Sequence, residues 1–285
     1  MEVQELTKKE LLIEGSLNQK PITADITYLN NGIAKPIILF AHGFKGFKDW
    51  GPWSLLSEKA ALEGFCFLKF NFSYNGVTPE NLNEITDKEA FGYNNFSREV
   101  EDIDRLLTYL ELTLSKEIQN LDLNRIYLIG HSRGGGISII KAAEDARIKK
   151  LATWASVHDF ASRFTEAELT YWKTHGVVYV KNSRTGEDYP MYYQFAEDFS
   201  RNGDRFLIAR AMEKVWQPML IIHGTNDETV NINAAFQLHQ WKPESKLFIL
   251  NKANHTFGAR HPHMDKSLPQ DLELALEKTL TFFND

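Results

Sequence analysis

Residues 130–134 read Gly130-His131-Ser132-Arg133-Gly134. A serine hydroxyl in such a turn can attack an acyl carbon if three groups surround it. A neutral imidazole must take its proton, a carboxylate must orient that imidazole, and backbone N–H groups must meet the oxygen that turns negative. The residues before the turn, 125–129, are apolar and rich in β-branched types, so they read as a buried strand. The small and apolar residues 137–143 read as a helix. Strand, sharp turn and helix together are the context in which a G-x-S-x-G nucleophile elbow lifts its serine clear of the sheet edge. The N-terminal N–H groups of the helix then aim at the site where an oxyanion forms. The competing reading is a Gly-rich turn carrying an idle serine.

The acid and the base are expected after Ser132, in that order. Asp227 stands in Gly224-Thr225-Asn226-Asp227-Glu228-Thr229-Val230, directly after the apolar run 219–223. That places it on a loop at the C-terminal edge of a sheet, where α/β sites form. Asp159, at the end of an earlier strand, and the neighbouring Glu228 are its rivals. Of nine histidines, His255 follows the last expected strand, 246–250, and precedes a helix. It is the base on this reading. His42 precedes a loop. His131 lies inside the elbow with its ring directed away from the Ser132 hydroxyl. His223 ends a strand and reads as packed, while His261 and His263, beside Pro262, read as surface loop. The two oxyanion donors are expected to be the backbone N–H groups of Arg133 and Phe44, the latter in His42-Gly43-Phe44. The side chains of Arg133 and Lys45 are open between solvated charge and substrate clamp, with solvated charge the commoner case. No histidine spacing of the H-E-x-x-H type occurs, so neither metal nor cofactor is expected.

These loops need a sheet to carry them. Two strands, 11–17 and 22–28, are expected first, with a turn at 18–21 and the second strand half-buried by its alternation. Buried strands follow at 36–41, 65–72 and 151–157, with helices at 53–64, 96–114 and 271–283. Ser97 is a candidate cap of the second of these helices, and a polar loop is expected up to about Asn95. Strand and helix alternation predicts a doubly wound, mostly parallel sheet with helices on both faces. It stops near Asp159. Residues 160–215 are aromatic and charged, with a hairpin turning at Thr185-Gly186. The expected organisation is a core of 1–159 and 216–285 with 160–215 inserted as a cap. Aromatic residues of and beside this insert could line an acyl pocket: Trp154, Phe160, Phe164, Tyr171, Trp172, Tyr179, Tyr189, Tyr192, Tyr193 and Phe195. They could equally pack the insert onto the sheet.

Composition sets outer bounds. A chain of 285 residues with 43% hydrophobic and 25% charged content can bury one large core. A net charge of −6 supplies no basic footprint for nucleic acid. Residues 1–10 lack an apolar signal core, and no apolar run of about 18 residues appears, so no membrane association is expected. The single Cys66 reads as a buried core residue of a reduced, cytoplasmic protein.

With these pieces in hand the chain resembles the α/β-hydrolase superfamily. The residues that carry the likeness are His42-Gly43-Phe44-Lys45-Gly46, Phe70-Asn71-Phe72-Ser73-Tyr74-Asn75-Gly76, Gly130-His131-Ser132-Arg133-Gly134-Gly135, His223-Gly224-Thr225-Asn226-Asp227 and Asn254-His255-Thr256-Phe257. It is most similar to bacterial serine aminopeptidase-like and dienelactone-hydrolase-like enzymes and to lidded feruloyl (cinnamoyl) esterases. Dienelactone hydrolases proper use Cys where this chain has Ser132. The resemblance implies Ser132 as nucleophile, Asp227 as acid, His255 as base, and Phe44 and Arg133 as oxyanion donors. It implies a serine esterase acting on a small-molecule ester with a small or aromatic acyl group. Peptidase, acyltransferase and non-catalytic binding module are the alternatives. The expected partner is that ester alone, without nucleic acid or membrane; a homodimer is a possible assembly, and the substrate-binding residues are unknown.

Overall fold

Apolar, β-branched stretches of the first seventy residues become four strands of one sheet. The computed structural model describes residues 5–15, 19–160, 164–182 and 184–285. β1 (Glu5–Ile13) and β2 (Ile22–Asn30) pair antiparallel. The first strand therefore starts earlier than expected, and residues 16–18 of the expected strand and turn lie outside the described residues. The half-buried pattern belongs to β1, whereas β2 is buried up to its last residue. Ile22, Ala24 and Ile26 enter one core, and on the other face Thr27 meets Ser57 of the first helix at 3.3 Å. β3 (Lys35–Ala41), α1 (Trp53–Leu62) and β4 (Cys66–Phe70) follow.

A short helix, α2 (Lys88–Gly92), interrupts the stretch expected as loop. Asp87 caps it by accepting the Ala90 N–H at 2.8 Å. α3 (Phe96–Tyr109) is capped by Asn95, whose side chain accepts the Arg98 N–H at 2.9 Å. Ser97 is not the cap; its hydroxyl donates instead to Asp198 at 2.5 Å. The helix expected to reach 114 passes into a π-helical turn, Leu110–Leu114, and then α4 (Ser115–Glu117). β5 (Leu121–His131) leads through Ser132 into α5 (Arg133–Glu144). That helix starts four residues before its apolar run because Gly134, Gly135 and Gly136 form its first turn. β6 (Ile148–Trp154), α6 (Glu166–His175), β7 (Val177–Lys181), β8 (Asp188–Tyr192), α7 (Gln194–Asn202) and α8 (Ile208–Met212) come next. β9 (Met219–Gly224), α9 (Asn233–Trp241), β10 (Lys246–Leu250) and α10 (Gln270–Asn284) complete the chain.

Eight strands form one sheet in the order β1-β2-β4-β3-β5-β6-β9-β10, parallel from β4 to β10. Successive residues of the central strands serve opposite cores. Ile37 and Leu39 of β3 face the cluster shared with α3 and α5, while Ile38 and Phe40 face the cluster shared with α1 and α10. Helices thus cover both faces, as continuous apolar strands require. β7 and β8 form a separate antiparallel pair; Ser183 in its turn lies outside the described residues. The segment 160–215 is fastened to α3 by Asn95–Gln194 at 2.7 Å and Ser97–Asp198. No helix among the described residues is long and apolar enough to cross a membrane.

Candidate active site

β5 delivers Ser132 at the C-terminal edge of the sheet with φ 57° and ψ −121°, a conformation an L-residue adopts only under constraint. Three hydrogen bonds supply that constraint. The Ser132 N–H donates to Trp154 O at 2.9 Å, and Ser132 O accepts from Gly135 N at 3.0 Å and Val157 N at 3.3 Å. Together they offset a backbone strain of about 1–3 kcal/mol. Close approach does the rest. A Cβ on Gly134 would sit 2.4 Å from the carbonyl oxygens of Ala41 and His42, and one on Gly43 would sit 2.9 Å from Ser132 Cβ. The elbow and the loop after β3 therefore interlock only with glycine at both positions.

The structure brings Ser132, His255 and Asp227 together. Ser132 Oγ lies 3.0 Å from His255 Nε2, and His255 Nδ1 lies 2.8 Å from Asp227 Oδ2. Asp227 Oδ1 accepts the N–H groups of Thr229 and Val230, each at 2.8 Å. Burial pushes the Asp227 carboxyl up, but the hydrogen bonds from His223, His255 and Val230 outweigh it and hold the group well below the usual carboxylate range. Asp159 lines the cleft and Glu228 is exposed; the His255 Nδ1 proton is already directed at Asp227.

Two more histidines support this relay. His223 reads from sequence as merely packed. Its Nε2 faces Val230 O at 2.8 Å and Asp227 Oδ2 at 3.2 Å. Two acceptors at one nitrogen place the ring proton there, so His223 grips both the carboxylate and its loop. The available signal was its position at a strand end, four residues before Asp227. His131 Nε2–H donates to His255 O at 2.9 Å. Burial pushes the His131 ring down to about 3, so it stays neutral while it holds His255 in place.

Phe44 and Arg133 both border the cleft beside Ser132. The loop that carries Phe44 is set by His42, whose Nδ1–H donates to Gly43 O at 2.9 Å. Its Nε2 then accepts from Asn75 Nδ2 at 3.3 Å and Phe72 N at 3.4 Å. Burial pushes His42 down to about 4, which keeps Nε2 free of a proton to accept these bonds. Lys45 Nζ donates to Lys181 O at 3.0 Å, tying the same loop to β7.

The Arg133 side chain is not a solvated charge. It is 3% exposed and lies 3.3 Å from Glu99. His261 also departs from the surface-loop expectation: it accepts the Gly51 N–H at 2.9 Å, stacks on Trp50 and lines the cleft. His263 is the loop residue expected, half-buried and facing Ser267 O at 3.0 Å. Cys66 is buried, with its thiol pushed up to about 12 by burial, too high for a nucleophile at neutral pH.

The cleft over Ser132 has a volume of about 890 Å³. Of the ten aromatic residues named from sequence, Phe160 alone is among its lining residues. Trp154 lies in the core below the sheet, donating to Thr279 at 3.0 Å. Trp172, Tyr189 and Phe195 are buried, Tyr189 against Phe91 of α2 and Phe195 against Phe96 of α3, and Tyr171 and Tyr179 are exposed. The aromatic walls come mainly from elsewhere, from Phe44, Trp50 and Trp53, with Val180, Asn182 and Arg184 of the hairpin region opposite.

Comparison with known proteins gives the family and the fold. The BD-FAE family profile matches residues 87–242, more than half of the 285 residues, and takes in Ser132 and Asp227. The chain belongs to the BD-FAE family. It is 25% identical over 155 residues to the uncharacterized peptidase YtmA of Bacillus subtilis (strain 168), a match covering 54% of this chain and 53% of that protein. It is 25% identical over 147 residues to the quorum-quenching protein AidA of Acinetobacter baumannii (strain MDR-ZJ06), covering 51% of this chain and 44% of that one. The matches thus span about half the length of these curated relatives. Among solved structures, Est1E from Butyrivibrio proteoclasticus with ferulic acid bound superimposes with a TM-score of 0.69 at 17% identity, covering 96% of this chain and 98% of that chain. The fold of this BD-FAE member is the α/β-hydrolase fold.

Proposed function

We propose that the protein is a serine hydrolase that cleaves carboxylic esters of small or aromatic acids through an acyl-enzyme. The relay from Ser132 Oγ through His255 to Asp227, at 3.0 and 2.8 Å within an open cleft, carries this reading. His255 takes the Ser132 proton as Oγ attacks the acyl carbon. The tetrahedral oxygen is met by the N–H groups of Phe44 and Arg133. The imidazolium, steadied by Asp227, then protonates the leaving alkoxide. Water, deprotonated by His255, releases the acid. On this reading residues 160–215 act as a cap whose hairpin closes one side of the cleft. The walls of Phe44, Trp50 and Phe160 favour flat acyl groups. The likeness to Est1E, a structure with ferulic acid bound, supports the same class.

A peptidase on the same machinery is the second reading, favoured by the likeness to YtmA. Matched substrates separate the two. Esters and amides of one acyl group, acetyl and then cinnamoyl, are compared by kcat/KM. The ester reading expects esters ahead of the matching amides by more than their intrinsic reactivity difference, with cinnamoyl above acetyl. Peptide amides cleaved as fast as the esters would put the peptidase first, and saturable binding without product would leave a binding module.

A further inference from the structure

Arg133 has two parts with separate tasks. Its backbone N–H opens α5 beside the nucleophile, and its side chain turns away beneath the loop after β3. There the guanidinium carbon lies 4.1 Å from the ring centroid of Phe44, and 5.3 and 5.4 Å from those of Phe96 and Phe195. Nη1 reaches Glu99 Oε1 at 3.3 Å, and the same oxygen accepts Asn94 Nδ2 at 2.7 Å. Both charged side chains are 3% exposed. Nε and Nη2 meet no hydrogen-bond partner among the described residues and are buried. They present no surface to a ligand in the cleft, so substrate clamping does not explain them.

We propose that the Arg133 side chain is a positioning residue that ties the two oxyanion donors to each other, resting on the serine-hydrolase reading above. Arg133 supplies one donor; the ring it holds belongs to Phe44, which supplies the other. The donors sit on different elements, the start of α5 and the loop after β3, and Glu99 fixes the guanidinium from a third, α3. Stability alone is a poor reason for this arrangement, since apolar side chains in place of a buried ion pair are commonly as stable. A planar cation offers direction instead. Desolvated between rings, it fixes the Phe44 ring, and with it the adjacent N–H, relative to the Arg133 N–H. Oxyanion donors act only when both lie about 2.7–3.1 Å from the oxygen that forms.

The test uses the full chain and 4-nitrophenyl butyrate. Arg133→Met combined with Glu99→Gln removes the clamp together with the carboxylate that faces it. The expected result is a kcat lower by about 10- to 100-fold with KM changed by less than about threefold, the signature of an interaction realised in the transition state. A butyryl trifluoromethyl ketone, which forms the tetrahedral adduct, weakens by the same factor as kcat/KM. Butyrate binding stays unaltered, as a merely structural role does not require. Adding Phe44→Leu to the pair costs less than it does in the parent chain. Arg133→Lys, which keeps the charge and lacks the plane, does not restore the rate. If the double variant fails to fold, Arg133→Lys alone decides by the same measurements. A folded variant with kcat/KM and ketone affinity within about threefold of the parent, or with additive effects of Phe44→Leu, overturns the clamp. A parent chain that neither turns over nor reacts with a fluorophosphonate overturns the serine-hydrolase reading and the clamp with it.

Discussion

On the proposed reading the strained backbone of Ser132 and its hydroxyl serve one purpose. Ser132→Ala keeps the φ 57° turn under the same three hydrogen bonds but has nothing for His255 to deprotonate. Loss of kcat by roughly 10⁴- to 10⁶-fold is expected, read with the best ester and with unchanged thermal unfolding; near-normal turnover would remove Ser132 from the chemistry. His223 gives a finer prediction. Hydrogen bonds to charged groups contribute about 1.5–3 kcal/mol, so His223→Ala is expected to lower kcat about 10- to 100-fold by freeing the Asp227 carboxylate. An unaltered rate in the folded variant would make His223 mere packing. Motif and spacing made Ser132, Asp227 and His255 legible in the sequence because each follows an apolar strand. The contacts of His223, His131 and the Arg133 side chain were not, since each depends on a partner distant in the chain or on which way a ring turns.

Helix and strand positions followed local pattern wherever local pattern decided them. β3, β9 and β10 are continuous apolar runs and were readable almost to the residue. Failures arose where a distant contact took over. Ser97 looks like a cap, yet Asp198, about a hundred residues away, claims its hydroxyl, and Asn95 caps α3. Asn95→Ala is therefore expected to cost about 1 kcal/mol in chemical denaturation, while Ser97→Ala leaves the helix cap intact. Equal loss of α3 protection from hydrogen exchange in both variants would contradict this assignment. The early start of α5 was hidden by its glycines, which are poor helix formers but the residues that fit against Ala41, His42 and Ser156. Trp154 and Trp172 share an aromatic type and belong to separate cores, a distinction carried by the sheet and not by either segment.

Across the whole molecule, buried histidines set the response to acid. His42 and His131 are neutral in the folded chain with their rings pushed down by burial to about 4 and about 3. An unfolded chain protonates both near pH 6.5, so their stability contribution is complete above about 6.5 and lost as pH falls toward 4. Asp102 runs the other way. Burial pushes its carboxyl up to about 7 against the Ser73 N–H and Arg105, so its contribution is present at low pH and lost as pH rises from about 3.8 to 7. The histidine protons, with the lowered His261 ring adding to them, outnumber the one on Asp102 and leave a net loss on acidification that is small near pH 7 and approaches about 1 kcal/mol per pH unit by pH 5. Denaturant titrations at pH 7, 6 and 5 should show it, and His131→Asn should flatten the slope. A stability that rises on acidification would contradict these burials. A second whole-molecule feature, the buried group of Asp25, Lys48 and Lys69 behind the loop after β3, was invisible in the sequence. Its members are 23 and 44 residues apart, and charges scattered through strands carry no periodic signal.

The most direct measurement is reaction of the chain with a fluorophosphonate, the modified residue being located by mass spectrometry with Ser132→Ala as control. An activated nucleophile at the elbow predicts one stoichiometric adduct, on Ser132, absent from the variant and suppressed when His255 is replaced. A folded chain that takes no label, or takes it on another residue, contradicts the relay from Ser132 to Asp227 as the source of its chemistry.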